Sequence, residues 1–230
     1  MCSRRVVRLA IAGATILGSV TTADIARAAP AVTSWSGFYL GGSFGGGFGS
    51  NPWSNPDDGD LGTTYLSGPI ASLQGGYNWQ FNNNIIAGID VSGGISNIQG
   101  AFDKFGWNFA AQVKGLESVA GRFGVATGTG NNTLLFVRGG LAFGQYKFTS
   151  NWPEIDTQFQ ADKTQTGWTI GLGMEYALTS NWSAKAEYGY YNFGSRPVYL
   201  VPNTDLVPPF PVQINNWAIN VFSVGFNYRR

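Results

Sequence analysis

Apolar and polar residues alternate with a period of two along most of this chain, the pattern of strands that show one face to an apolar medium. The clearest case is Asn216 to Arg230. Phe222, Val224, Phe226 and Tyr228 share one face there, and Ser223, Gly225 and Asn227 share the other. Seven further runs read the same way, at about 36–48, 68–80, 85–96, 113–127, 133–147, 164–178 and 182–193. Polar clusters break them. Phe81–Asn84, Thr127–Asn132 and Leu178–Asn181 are short turns, whereas longer connections lie around Asn51–Tyr65, Phe102–Trp107, Pro153 and Pro197–Pro211.

Short and long connections therefore alternate, and an even strand count leaves both termini on one side. Eight such strands suit a soluble ligand-binding barrel of lipocalin type or a membrane barrel. Parity alone does not say which face points inward. The face opposite the large apolar residues is mostly glycine, including Gly41, Gly45, Gly76, Gly88, Gly124, Gly140, Gly171 and Gly173. Glycine weakens a strand and gains nothing from facing water. In the crowded bore of an eight-stranded barrel small residues are needed. The expected fold is thus an all-β, eight-stranded antiparallel transmembrane β-barrel with short periplasmic turns and long external loops. Aromatic residues gather at the strand ends in two sets, Phe38, Trp79, Tyr176, Trp182 and Tyr228 against Phe48, Phe143, Trp168 and Tyr190, as interfacial girdles do.

This orientation puts Asp90, Arg122, Arg138, Glu175, Lys185 and Glu187 inside the bore. Partners across a tight turn keep a constant index sum, so Arg122 is expected opposite Arg138 and Glu175 opposite Lys185. Adjacent arginines need acids between them, so one buried polar network across the bore is predicted. A gate for a narrow pore is the competing role for the same residues. Glu117 and Lys147 share the lipid-facing parity and are expected near strand ends, where a charge costs little.

Charge and composition narrow the setting. Arg4, Arg5 and Arg8 precede an apolar run from Leu9 to Val20, and Ala26-Arg27-Ala28 fits a cleavage site. Residues 1–28 are read as a signal peptide and 29–230 as the barrel domain. Without that leader, ten basic and twelve acidic residues remain, a net charge of −2 that offers no field for nucleic acid. Cys2 leaves with the leader, so disulfides play no part. Charged residues make up 12% of the chain, about half the usual share.

Catalytic chemistry is thin. There is no histidine, the commonest general base and metal ligand. Asp57-Asp58-Gly59-Asp60 lacks the spacing of a calcium loop, and the glycine run 41–47 lacks the Lys-Ser/Thr of a phosphate loop. No enzyme activity, cofactor or metal is expected.

Trp35-Ser36-Gly37-Phe38-Tyr39-Leu40-Gly41-Gly42 resembles the opening of the small outer-membrane β-barrel proteins of α-proteobacteria, relatives of the OmpA transmembrane domain, OmpX and the opacity proteins. Leu73-Gln74-Gly75-Gly76-Tyr77-Asn78-Trp79-Gln80 is similar to that family's second strand, and Glu187-Tyr188-Gly189-Tyr190-Tyr191-Asn192-Phe193-Gly194 to its seventh. The resemblance implies an abundant cell-surface barrel with roles in envelope integrity and host contact, and haemin binding in some members. Its partners would be outer-membrane lipid and lipopolysaccharide, the barrel-assembly machinery during insertion, and a host or haemin ligand at the external loops. Asp57, Asp58, Asp60, Trp107, Tyr199 and Phe210 are the candidate loop contacts. The family normally ends in Phe. This chain ends Tyr228-Arg229-Arg230, so slower insertion than that of an Arg230→Phe variant is expected. A structural or surface-interaction protein comes first, a narrow porin second and a soluble ligand-binding barrel third.

Overall fold

The computed structural model describes residues 33–55, 59–82, 84–104, 106–153, 157–204 and 208–230. The expected leader, with Cys2, and the loop acids Asp57 and Asp58 lie outside the described residues. Eight strands form the structure: β1 (Gly37–Asn55), β2 (Gly59–Phe81), β3 (Ile85–Lys104), β4 (Trp107–Thr127), β5 (Thr133–Trp152), β6 (Thr157–Ala177), β7 (Trp182–Pro202) and β8 (Phe210–Arg229). Each pairs antiparallel with the next, and β8 returns to β1 through pairs such as Phe44↔Val224, closing the barrel. Closure leaves no sheet edge in the lipid, where an unpaired backbone group would cost several kcal/mol.

The short turns are built as their sequences dictate. Asn82 and Asn131 take positive φ values of 46° and 60°, a conformation that asparagine tolerates better than most residues. Gly128 and Gly130 supply the other left-handed positions at φ 80° and 68°.

At the opposite end the strands run well past the expected boundaries. Most of the connection from Asn51 to Tyr65 is paired strand, as in Asn51↔Thr64 and Trp53↔Gly62. The same holds for Phe102↔Phe109 and Trp152↔Thr157. The external connections are therefore long hairpins rather than irregular loops. Their alternation is harder to see in sequence because its meaning reverses along each strand. In the membrane band the large apolar residues point outward, with Phe38 70%, Leu73 71% and Phe123 55% exposed. Beyond that band they point inward, and Trp53, Ile98, Phe148, Phe159, Leu200 and Ile214 are all buried. The outer wall there meets water, so the same barrel adopts the apolar-inside rule of a soluble one.

The extended strands also change where Glu117 stands. It lies midway along β4, not near an end, because β4 starts at Trp107. Its pair Phe143 belongs to the outer aromatic girdle, so the carboxylate sits at the outer boundary of the apolar band.

One seam departs from full pairing. β6 and β7 pair from Ala177↔Ser183 up to Trp168↔Asn192, then only at Gln160↔Val201 and Phe159↔Pro202. The intervening stretches, 161–167 and 193–200, pair with β5 and β8 respectively but not with each other. Register shifts at Asn192/Gly194 and Gly194/Arg196 displace this part of β7, and Gly194 sits at φ 68°. Pro197 adds a residue without an N–H donor.

Candidate functional site: a charged bore between two apolar layers

The polar faces of the strands meet in the bore at mid-barrel. The register is Arg122↔Arg138 between β4 and β5 and Glu175↔Lys185 between β6 and β7, as the index sums require. Three carboxylates and three cations gather there, all buried: Asp90, Glu175 and Glu187 with Arg122, Arg138 and Lys185. Arg122 Nη2 donates to Glu175 Oε2 at 2.7 Å. Arg138 Nη1 lies 3.0 Å from both Asp90 Oδ1 and Glu187 Oε1. Lys185 turns to Glu187 Oε2 at 3.0 Å on its own strand, although Glu175 is its register partner. Glu175 is already occupied by Arg122 and by the hydroxyl of Ser183.

Neutral side chains of the same parity extend this set. Tyr39 donates its hydroxyl to Asp90 Oδ2 at 2.6 Å, Ser118 accepts from Arg138, and Gln74 Nε2 donates to Asn227 Oδ1 at 2.9 Å. Ser43 donates to Gln74 Oε1 at 3.1 Å. The charge count alone missed these residues, yet each sits at the parity of the six charges, which was the available signal. Equal numbers of both signs leave this central cluster without net charge, so each of its ions meets an opposite one in a place where water is scarce.

The inward glycines make room for this packing. A Cβ on Gly173 would strike the ring of Phe136, which carries the Arg122 guanidinium 3.7 Å above its centroid. A Cβ on Gly76 would meet the Tyr39 hydroxyl, and one on Gly144 the Tyr146 ring.

Apolar layers lie on both sides of the charges. Toward the outside, Leu116, Tyr146, Phe148, Phe193, Trp217 and Ile219 fill the bore. Trp53 packs against Phe109 at 5.5 Å and Phe148 at 5.6 Å. On the periplasmic side Trp35, fully buried, joins Ile86, Ala126, Leu134 and Phe136. Trp35 Nε1 donates to the Asn131 carbonyl at 2.8 Å, and the Arg229 guanidinium lies 4.0 Å over the indole ring. Between the layers lies a space of about 30 Å³ lined by Ser43, Arg138, Lys185, Glu187 and their neighbours, room for a water or two.

The external candidates separate. Trp107 stacks on Trp152 at 4.6 Å and on Phe210 at 5.6 Å. Both Trp107 and Phe210 are thus strand residues packed on the outer apolar layer rather than free loop contacts. Tyr199 is 60% exposed on β7. Asp60 is exposed on β2, and its carboxylate caps the Gly62 N–H at 3.0 Å. Farther along the outer wall, Lys114 Nζ sits 2.7 Å from Asp162 Oδ1. That bond and one from the Gln160 amide hold the Asp162 carboxyl below the usual carboxylate range.

A closed eight-stranded barrel, apolar outside in a band flanked by aromatic rings and polar within, is the architecture of an outer-membrane protein. The family model for the outer membrane protein beta-barrel domain matches residues 13–229. The chain belongs to this outer-membrane β-barrel family. It is 30% identical over 225 residues to the 31 kDa outer-membrane immunogenic protein of Brucella melitensis, covering 88% of this chain and 87% of that one. It is 32% identical over 167 residues to the 22 kDa outer membrane protein of Rhizobium leguminosarum bv. viciae, with 71% of this chain and 66% of that one covered. Among solved structures, OprG from Pseudomonas aeruginosa shares the fold with a TM-score of 0.63 at 13% identity, over 87% of this chain and 99% of that one. This member of the family is therefore an outer-membrane protein, and its apolar band contacts the lipids of that membrane. The opening motif of the family acquires a physical reading here. Trp35 seals the periplasmic mouth, Gly37 takes φ 124° against the Arg230 carbonyl, and Tyr39 reaches Asp90.

Proposed function

We propose that the protein is a closed, non-enzymatic barrel that anchors a surface-interaction structure in the outer membrane and contributes to envelope integrity. The observation that carries this reading is the pair of apolar layers above and below the charged bore. An ion crossing would have to shed its water twice and then break ion pairs that already satisfy one another. Two such barriers favour an anchoring role over a narrow porin. The hairpins beyond the membrane, with exposed Asp60 and Tyr199 and the adjoining acids Asp57 and Asp58, are then the place for a partner. The word immunogenic in the name of the Brucella relative is in keeping with such an exposed surface. During insertion the barrel-assembly machinery would be a transient partner, and lipopolysaccharide a lasting one.

The test is single-channel recording of refolded, heat-modifiable protein in a planar bilayer. A silent, inserted barrel is expected. Reproducible current steps that change on substitution of Arg138 or Glu175 would overturn the closed-bore reading in favour of a porin. A second reading, surface binding of a planar ligand such as haemin, has one observation behind it, the stack of Trp107 with Trp152 and Phe210 at the mouth. Quenching of tryptophan fluorescence by haemin that disappears in Trp107→Ala would support it, and quenching unchanged by that substitution would remove it.

A further inference from the structure

Glu117 is an anomaly that the closed bore does not use. Its side chain points to the membrane side of β4, between Gly93 of β3 and Phe143 of β5. One carboxylate oxygen accepts from Gln145 Nε2 at 2.8 Å. No cation pairs with it among the described residues. Lys114 is committed to Asp162, and Lys147 stands opposite that same aspartate farther out. A carboxylate at the edge of hydrocarbon without a counter-charge is costly unless the surroundings supply one.

From Glu117 toward the periplasm, the outer wall carries a shallow, open apolar groove of about 820 Å³ that runs from Phe143 of β5 across β4, β3 and β2 to β1. Gly93 and Gly75 form its floor, Leu73 and Val91 its sides, and Phe38 its far end. These two glycines differ from those of the bore. A Cβ on Gly93 would meet nothing nearer than Glu117 Cγ at 3.6 Å, and one on Gly75 nothing nearer than the Tyr39 carbonyl at 3.3 Å. At Gly93 the packing of the barrel has little need of glycine, whereas at Gly75 the Tyr39 carbonyl would crowd a Cβ slightly. The small size of both glycines leaves a shallow, open furrow along which a hydrocarbon chain can lie, with the Glu117 carboxylate at its head.

We propose that Glu117 and this groove form a binding site for a membrane lipid with a protonated amine in its headgroup. An acyl chain would lie over Gly93 and Gly75, and the ammonium would donate to the free oxygen of Glu117. A headgroup that is only anionic would meet repulsion at the same place. Such charge-assisted hydrogen bonds are stronger than neutral ones, and the groove adds dispersion contacts along the chain.

The test uses the full barrel refolded into vesicles of equimolar phosphatidylethanolamine and phosphatidylglycerol, extracted in mild detergent and weighed by native mass spectrometry. Wild type is expected to retain one phosphatidylethanolamine, roughly tenfold in preference to phosphatidylglycerol, the scale of one hydrogen bond to a charged group. Glu117→Gln should lose the preference, and Gly93→Leu should lose the bound lipid while keeping the carboxylate. Both variants should insert normally, because each change faces lipid. Equal retention of the two lipids by wild type would overturn the proposal even if both variants failed to insert. So would a preference untouched by Glu117→Gln. Retention of phosphatidylglycerol that disappears when divalent cations are chelated would overturn it too, since the carboxylate would then hold a phosphate through a metal ion.

Discussion

Arg122 on β4 reaches past β5 to place its Nη2 2.7 Å from Oε2 of Glu175 on β6. A contact between strands that are not neighbours ties the barrel together through its interior, independently of the backbone ladder. Both side chains are almost completely buried, so each needs the other more than an exposed pair would.

Glu175→Gln should therefore lower the unfolding free energy by about 3–5 kcal/mol, and with it the denaturant midpoint, because Arg122 would be left charged and unpaired. Replacing both residues by apolar ones of similar volume, Arg122→Met with Glu175→Leu, should cost much less than the two single changes added. Urea titrations in micelles, read by loss of the compact electrophoretic form, would show it. Strict additivity would mean that the contact contributes no coupling.

The inward and outward glycines make a second comparison. Gly173→Ala should destabilise by about 1–3 kcal/mol, since the new methyl overlaps a Phe136 ring that is itself held against Arg122. Gly121→Ala, whose Cβ would find nothing closer than 3.9 Å, should stay within about 0.5 kcal/mol of wild type. Thermal unfolding of the two variants side by side is the measurement.

The seam between β6 and β7 predicts a pattern of hydrogen exchange. Amides of 161–167 and 193–200 that point across the seam have no ladder partner there. They should exchange well before those of β4 and β5, whose pairing runs from Thr127↔Thr133 to Asn108↔Asn151. Protection equal to that of β4 would show that the seam zips shut in solution.

At the periplasmic mouth, Trp35→Ala should cost about 3–5 kcal/mol, the usual scale for a buried large aromatic, and leave strand content unchanged by circular dichroism. Arg229→Ala should cost less, as it removes the stacking over the indole and the bond to the Ser34 carbonyl at 3.1 Å but leaves the ring itself in place. A Trp35→Ala barrel as stable as wild type would show that the segment before β1 is no part of the fold.

Strand number, direction and membrane-band parity were legible in the sequence because each is a local property. Alternation with period two marks a strand, tight asparagine- and glycine-rich turns set the register across them, and glycine on one face tells lipid from water. Even the pairs Arg122↔Arg138 and Glu175↔Lys185 follow from turn position alone. What closure of the barrel decided is which side chains meet across the bore, since those distances depend on the stagger of all eight strands at once. It sent Lys185 to Glu187, gave Glu175 to Arg122, and brought Tyr39 to Asp90. The reversal of parity beyond the membrane was likewise a tertiary outcome. Trp53 and Trp107 read as loop residues in sequence because an apolar side chain carries no mark of the solvent outside its strand. Only where the barrel leaves the lipid does water on the outer wall turn those rings inward.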